Sequence, residues 1–270
     1  MWIYSSSWSM GIVGVASALA LLWLVDRQSP LRTIWSALRY LVTEHRALGL
    51  FVGAYAMLAL NLLEGQLEAR MAASVTWDFT RQISQVGTGF LMALQRLEWP
   101  PLTHLLTYVY VILFPVLMIG ALLYYLARRD LTAVKNHVFG YWANYLVALP
   151  LYLWFPVKEA WAGGVGIRFL IPEIFPAFEQ VLRPHSGLDN CFPSLHTSLA
   201  LTYALVAFRN GHKRLGVVLG VGAGLVMLST LYLGVHWVLD MVAGSLLAVI
   251  ASGYLADILP STQPKFRTDP

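Results

Sequence analysis

Charge is what this sequence has least of. Only 12% of its 270 residues are Asp, Glu, Lys or Arg, while 58% are hydrophobic. A soluble domain carries about 25% charged residues, so the shortage excludes an ordinary soluble domain. Cysteine is nearly absent too. Cys191 stands alone, which excludes an internal disulfide framework and leaves it to be read as a small residue near the lumen. No Lys or Arg precedes the first apolar run, whereas a secretory signal wants a positive leading segment. That run is therefore expected to stay as a membrane span. No internal repeat and no low-complexity segment is evident. The histidines and acids form no dense ligand set, so neither metal nor cofactor is expected. The net charge of +4 is carried mostly by loops and calls for no nucleic acid.

What is present is apolar sequence in blocks close to the roughly 20 residues a helix needs to cross the hydrocarbon core. Lipid cannot satisfy a bare backbone, and the alternation of a barrel is missing. The expected fold is all-α: a polytopic membrane helical bundle of about seven transmembrane helices, in one domain over residues 1–270. The spans are expected near 8–25, 47–63, 103–127, 137–156, 195–209, 215–234 and 236–258. The last two are so close that they predict a tight helical hairpin. Residues 64–101 mix charge with a helical stripe of Phe79, Ile83, Val86, Phe90, Leu94 and Leu97. The stripe predicts one amphipathic helix, lying at the interface or packed on the other spans, and residues 27–46 look alike. The long connection 157–192 is rich in aromatic residues and is expected to fold down as a lid or vestibule wall.

Basic residues fix an orientation. One set of connections holds Arg27, Arg32, Arg39, Arg46, Arg128, Arg129, Lys135, Arg209, Lys213, Arg214, Lys265 and Arg267. The other holds Arg70, Arg81, Arg96, Lys158, Arg168 and Arg183. Twelve against six makes the first set cytoplasmic. The N-terminus is expected outside, the C-terminus inside, and the loop before "CFPSLH" on the non-cytoplasmic side.

Two histidines open apolar runs on that side: His196 and His236. Asp240 follows His236 by four positions, so on a helix the two share a face. A carboxylate there can fix the ring tautomer and raise the basicity of the other nitrogen. An aspartate within a span is expensive and usually functional. Pro193 suits the first turn of a helix, which would leave the amides of Ser194, Leu195 and His196 to cradle an anion, with the Ser194 hydroxyl as a further donor. Lys158, Arg168 and Arg183 share the outer loop and could supply countercharge. An anion cradle, a proton-donating histidine and a second histidine backed by an aspartate suit phosphoryl transfer through a covalent phosphohistidine. A non-catalytic transporter or scramblase would use the same residues as a polar path, though the inverted repeats common in transporters are missing.

"CFPSLH" and "STLYLGVHWVLDMVAG" resemble the second and third signature motifs of the type 2 phosphatidic acid phosphatase superfamily, P-S-G-H and S-R-x(5)-H-x(3)-D. The resemblance covers residues 150–258, the expected catalytic core. It departs from the pattern at Leu195, in place of glycine, and at Thr230, in place of arginine. The first motif, K-x(6)-R-P, is missing. The first two departures resemble the inositolphosphotransferase, or aureobasidin-resistance-like, branch. Lys158 in "FPVKEAW" stands where that branch carries its altered first motif. The resemblance implies a metal-independent lipid phosphatase or phosphotransferase, with a lipid phosphate as substrate, membrane lipids around it and possible transfer to an alcohol acceptor such as inositol. It implies His236 as nucleophile, Asp240 as its orienting carboxylate and His196 as the acid. Ser194 and Ser229 would contact phosphate.

Overall fold

A computed structural model describes residues 2–56, 59, 77–182 and 187–253. Arg183, most of the expected second span beyond residue 56 and the start of the 64–101 segment lie outside the described residues. Among the described residues the chain is all-helical, and an isolated bridge between Val157 and Asn190 is its closest approach to sheet.

The main helices are α1 (Ser7–Asp26), α2 (Pro30–Thr43), α3 (45–56), α4 (Thr80–Ser84), α5 (Thr88–Gln95), α6 (Pro100–Ala127), α7 (Leu131–Trp154), α8 (Leu195–Arg209), α9 (Lys213–Tyr232) and α10 (Val238–Ala251). Three of them, α1, α6 and α9, are long and apolar enough to cross a membrane, and α10 is a shorter apolar helix. Large apolar side chains such as Trp23, Ile119, Val221 and Leu246 point outward, as lipid-facing residues do. The molecule is an integral membrane protein. The expected fourth span falls on α7, which carries Lys135, Asn136, His137 and Asn144, and the expected fifth on α8, with only 15 residues; neither is among the helices long and apolar enough to cross.

Central α8 packs against α6, α7, α9 and α10. Here the expected hairpin is corrected. Residues 233–237 join α9 to α10, but both helices lean on α8. Close approach to α10 needs a small residue. A β-carbon on Gly244 would lie 2.6 Å from the Ser194 carbonyl oxygen, so α8 begins directly against α10.

The amphipathic stripe is corrected too. It is broken into α4 and α5 at Gly87, whose φ of 85° is left-handed and suits glycine. Ile83 and Leu91 face inward, while Val86, Phe90 and Leu97 are exposed. The described residues of the 157–192 connection pack down on the bundle as a wall. Leu170, Ile171, Phe175 and Phe178 join the main core, and Val157, Ala160, Ile167 and Cys191 join a smaller cluster around the buried Trp237.

Candidate active site

The turn between α9 and α10 sets His236. Gly234 has φ 80°, and a β-carbon there would meet the Arg168 carbonyl oxygen at 2.2 Å. No other residue fits both demands. The Thr230 carbonyl then accepts the amides of Val235 at 2.9 Å and His236 at 3.2 Å. The wall segment clamps the same turn: Ala160 and Trp161 donate to the carbonyls of Val235 and Gly234, and Leu170 to that of Leu233. The indole of Trp237 donates to the Lys158 carbonyl at 2.8 Å.

Asp240 lies in the first turn of α10, where the helix dipole favours a carboxylate. Its Oδ2 accepts the Trp237 amide at 2.8 Å and lies 3.3 Å from His236 Nδ1. His236 precedes the helix, so this contact comes from capping geometry as well as from the four-residue spacing. Both side chains are buried. On the opposite edge of the ring, His236 Nε2 lies 3.4 Å from His196 Nδ1. Carboxylate, first imidazole and second imidazole thus form one line. The two histidine-bearing elements are tied directly, since the Ser194 amide donates to the Asp240 carbonyl at 3.1 Å.

That bond corrects the expected cradle. Pro193 lies ahead of the helix, Ser194 is the N-cap, and its hydroxyl accepts the Thr197 amide at 3.2 Å. The Ser194 amide is therefore already used. Ser229 is buried and donates to the Val226 carbonyl of its own helix. Lys158 reaches Asp78 at 3.0 Å with both side chains about half exposed. Burial pushes the Asp78 carboxyl up, but bonds from Thr80 and the Lys158 ammonium outweigh it and hold it below the usual range. Arg168 pairs with Glu98 and lies 3.9 Å from Glu173. The structure thus brings together His236, Asp240, His196 and the Ser194 backbone. It gives Lys158 and Arg168 acidic partners instead.

Three contributors escaped sequence reasoning. Tyr110 stacks on the His196 ring at 4.7 Å between centroids, and Phe114 lies over it at 4.9 Å. Tyr110 lies within a π-helical segment of α6, Val109–Leu113, and Phe114 caps it, its amide reaching back to the Val109 carbonyl. Pro115 lacks an amide proton and disturbs the regular ladder there. The third is Cys191, which is no bystander. Its Sγ lies 3.0 Å from Asp240 Oδ2 and 3.1 Å from His236 Nδ1. These three ligand-type atoms lie within 4.8 Å of one another, close enough for a divalent ion. Their mutual contacts of 3.0–3.3 Å fit a hydrogen-bonded cluster.

The PAP2 superfamily model matches residues 84–254. Among curated proteins, YbjG of Escherichia coli strain K12, named for undecaprenyl-diphosphatase activity, is 43% identical over 97 residues, covering 36% of this chain and 41% of that protein. The bacitracin transport permease protein BcrC of Bacillus licheniformis is 30% identical over 142 residues, covering 50% of this chain and 69% of that protein. The chain thus spans less than half of YbjG. No solved structure matches.

Proposed function

This chain belongs to the PAP2 superfamily, and on that premise we propose that it is a membrane phosphatase of lipid-linked phosphates, acting through a phosphohistidine. The observation that carries the reading is the line Asp240 Oδ2, His236 Nδ1, His236 Nε2, His196 Nδ1, with gaps of 3.3 and 3.4 Å. Asp240 holds the Nδ1 proton, which leaves Nε2 free to attack phosphorus. The P–O bond to the leaving group breaks, and the His196 ring protonates the departing oxygen. His196 then takes a proton from water, which attacks the phosphohistidine and releases phosphate. The phosphoryl group enters between the two rings and replaces their 3.4 Å contact.

The proposed substrate is a polyprenyl diphosphate, supported by the name of the Escherichia coli relative. The second reading is transfer of a phospho-head group to an alcohol such as inositol, favoured by Leu195 and Thr230 in place of the superfamily's glycine and arginine. Phosphate release by purified protein from polyprenyl diphosphate, phosphatidate and inositol lipids, with and without myo-inositol, separates the two. Release from polyprenyl diphosphate independent of inositol is expected. A strict need for inositol would establish the transferase reading, and no reaction with any of these lipids would refute both.

Phosphate binding falls to Lys158, Arg183 and Arg168, with the Ser194 hydroxyl as a further contact; Ser229 would have to give up its bond to the Val226 carbonyl to join them. Lys158 would exchange Asp78 for substrate. Lys158→Met should raise KM roughly tenfold or more at nearly unchanged kcat, as expected for loss of one contact to a charged group. An unchanged KM would remove Lys158 from the site.

The proposed topology keeps seven spans, the N-terminus outside, the C-terminus inside and the site on the non-cytoplasmic face. Its support is the basic asymmetry. In a Cys191→Ser background, a cysteine introduced at Arg183 should react with an impermeant maleimide on intact cells, and one at Arg129 should not. The opposite pattern inverts the topology.

A further inference from the structure

Cys191 has the position of a working group. It is 1% exposed, and its Sγ touches Asp240 Oδ2 at 3.0 Å, His236 Nδ1 at 3.1 Å and the Val235 carbonyl at 3.3 Å. Asp240 Oδ2 is crowded. It receives the Trp237 amide at 2.8 Å and the thiol at 3.0 Å, with the His236 ring farthest at 3.3 Å. Asp240 Oδ1 is buried without a partner among the described residues. One oxygen therefore serves three donors, and the nucleophilic ring holds the weakest claim.

Given the phosphatase reading, we propose that Cys191 is a positioning residue for the nucleophile: its S–H donates to Asp240, fixes the carboxylate and shares the oxygen that backs His236. Burial, with the Asp240 charge beside it, pushes the thiol up and keeps it a protonated donor. Other titratable groups also face this cluster. His196 on α8 meets the ring from the far side, and Tyr110 on α6 stacks on His196. Glu159 on the wall acts on the thiol through its charge. None of these supplies a donor to Oδ2 in place of the thiol. Without the S–H, the carboxylate charge falls more fully on His236, and the ring becomes more basic.

The expectation has a spectroscopic and a kinetic test. Cys191 is the sole thiol, so the infrared S–H stretch of the full-length protein reports on it alone. Asp240→Asn should move that band toward weaker hydrogen bonding, and an unmoved band would overturn the proposal. In kinetics, Cys191→Ala should displace the acid limb of kcat/KM upward by roughly half a pH unit or more. Cys191→Ser, which keeps a donor, should restore the wild-type limb. A packing role alone would change turnover or thermal stability and leave the limb in place, so identical profiles for all three proteins would also overturn the proposal. If the wild type hydrolysed no lipid phosphate, the phosphatase reading would fall and the infrared shift would decide the role of the thiol.

Discussion

His236→Ala should lose at least about a hundredfold in turnover, the scale for removing a nucleophile or a general acid–base group. The substitution deletes the ring whose Nδ1 is backed by Asp240 and whose Nε2 faces His196. It should not unfold the protein. Asp240 keeps the Trp237 amide at 2.8 Å and the Cys191 thiol at 3.0 Å, so the buried carboxylate is not stranded. Asp240→Asn should lose less, because the carboxylate orients and polarises but forms no bond to phosphorus. Steady-state rates on purified, thermally intact variants check the ranking. Near-normal turnover in His236→Ala would sink the mechanism.

His196→Ala should show a defect that depends on the leaving group. A poor leaving oxygen needs its proton as the P–O bond breaks, so the loss should again reach about a hundredfold. An activated aryl phosphate leaves without that help and should recover part of the rate. His196 is also a packed side chain, held between Tyr110 and Phe114. If packing were its whole role, both substrates would suffer equally. Parallel kcat measurements on a natural diphosphate and an aryl phosphate separate the two roles.

The contact between His236 and Asp240 was legible because it is local. The four-residue spacing of His236 and Asp240 survives as a contact although the ring precedes the helix. Their motif, with "CFPSLH", was enough to reach the superfamily. What was not legible is long-range. Lys158 reads as free countercharge until the fold brings Asp78 to it, and Arg168 likewise until Glu98 arrives. The Ser194 amide reads as an open donor until α10 offers the Asp240 carbonyl. Tyr110 reaches His196 from a π-helical segment that no apolar periodicity announces. Cys191 carries no spacing signature at all. In the fold, apolar runs located α1, α6, α9 and α10. The 64–101 stripe failed because a single left-handed glycine, Gly87, outweighs its periodicity.

The covalent intermediate tests the central claim most directly. Wild-type protein would be mixed with a lipid substrate carrying a labelled terminal phosphoryl group, quenched within one turnover and digested. Label stable to base and labile to acid should appear on the peptide containing His236, and His236→Ala should carry none. Wild-type turnover without such a label, or label on any other residue, would contradict the account.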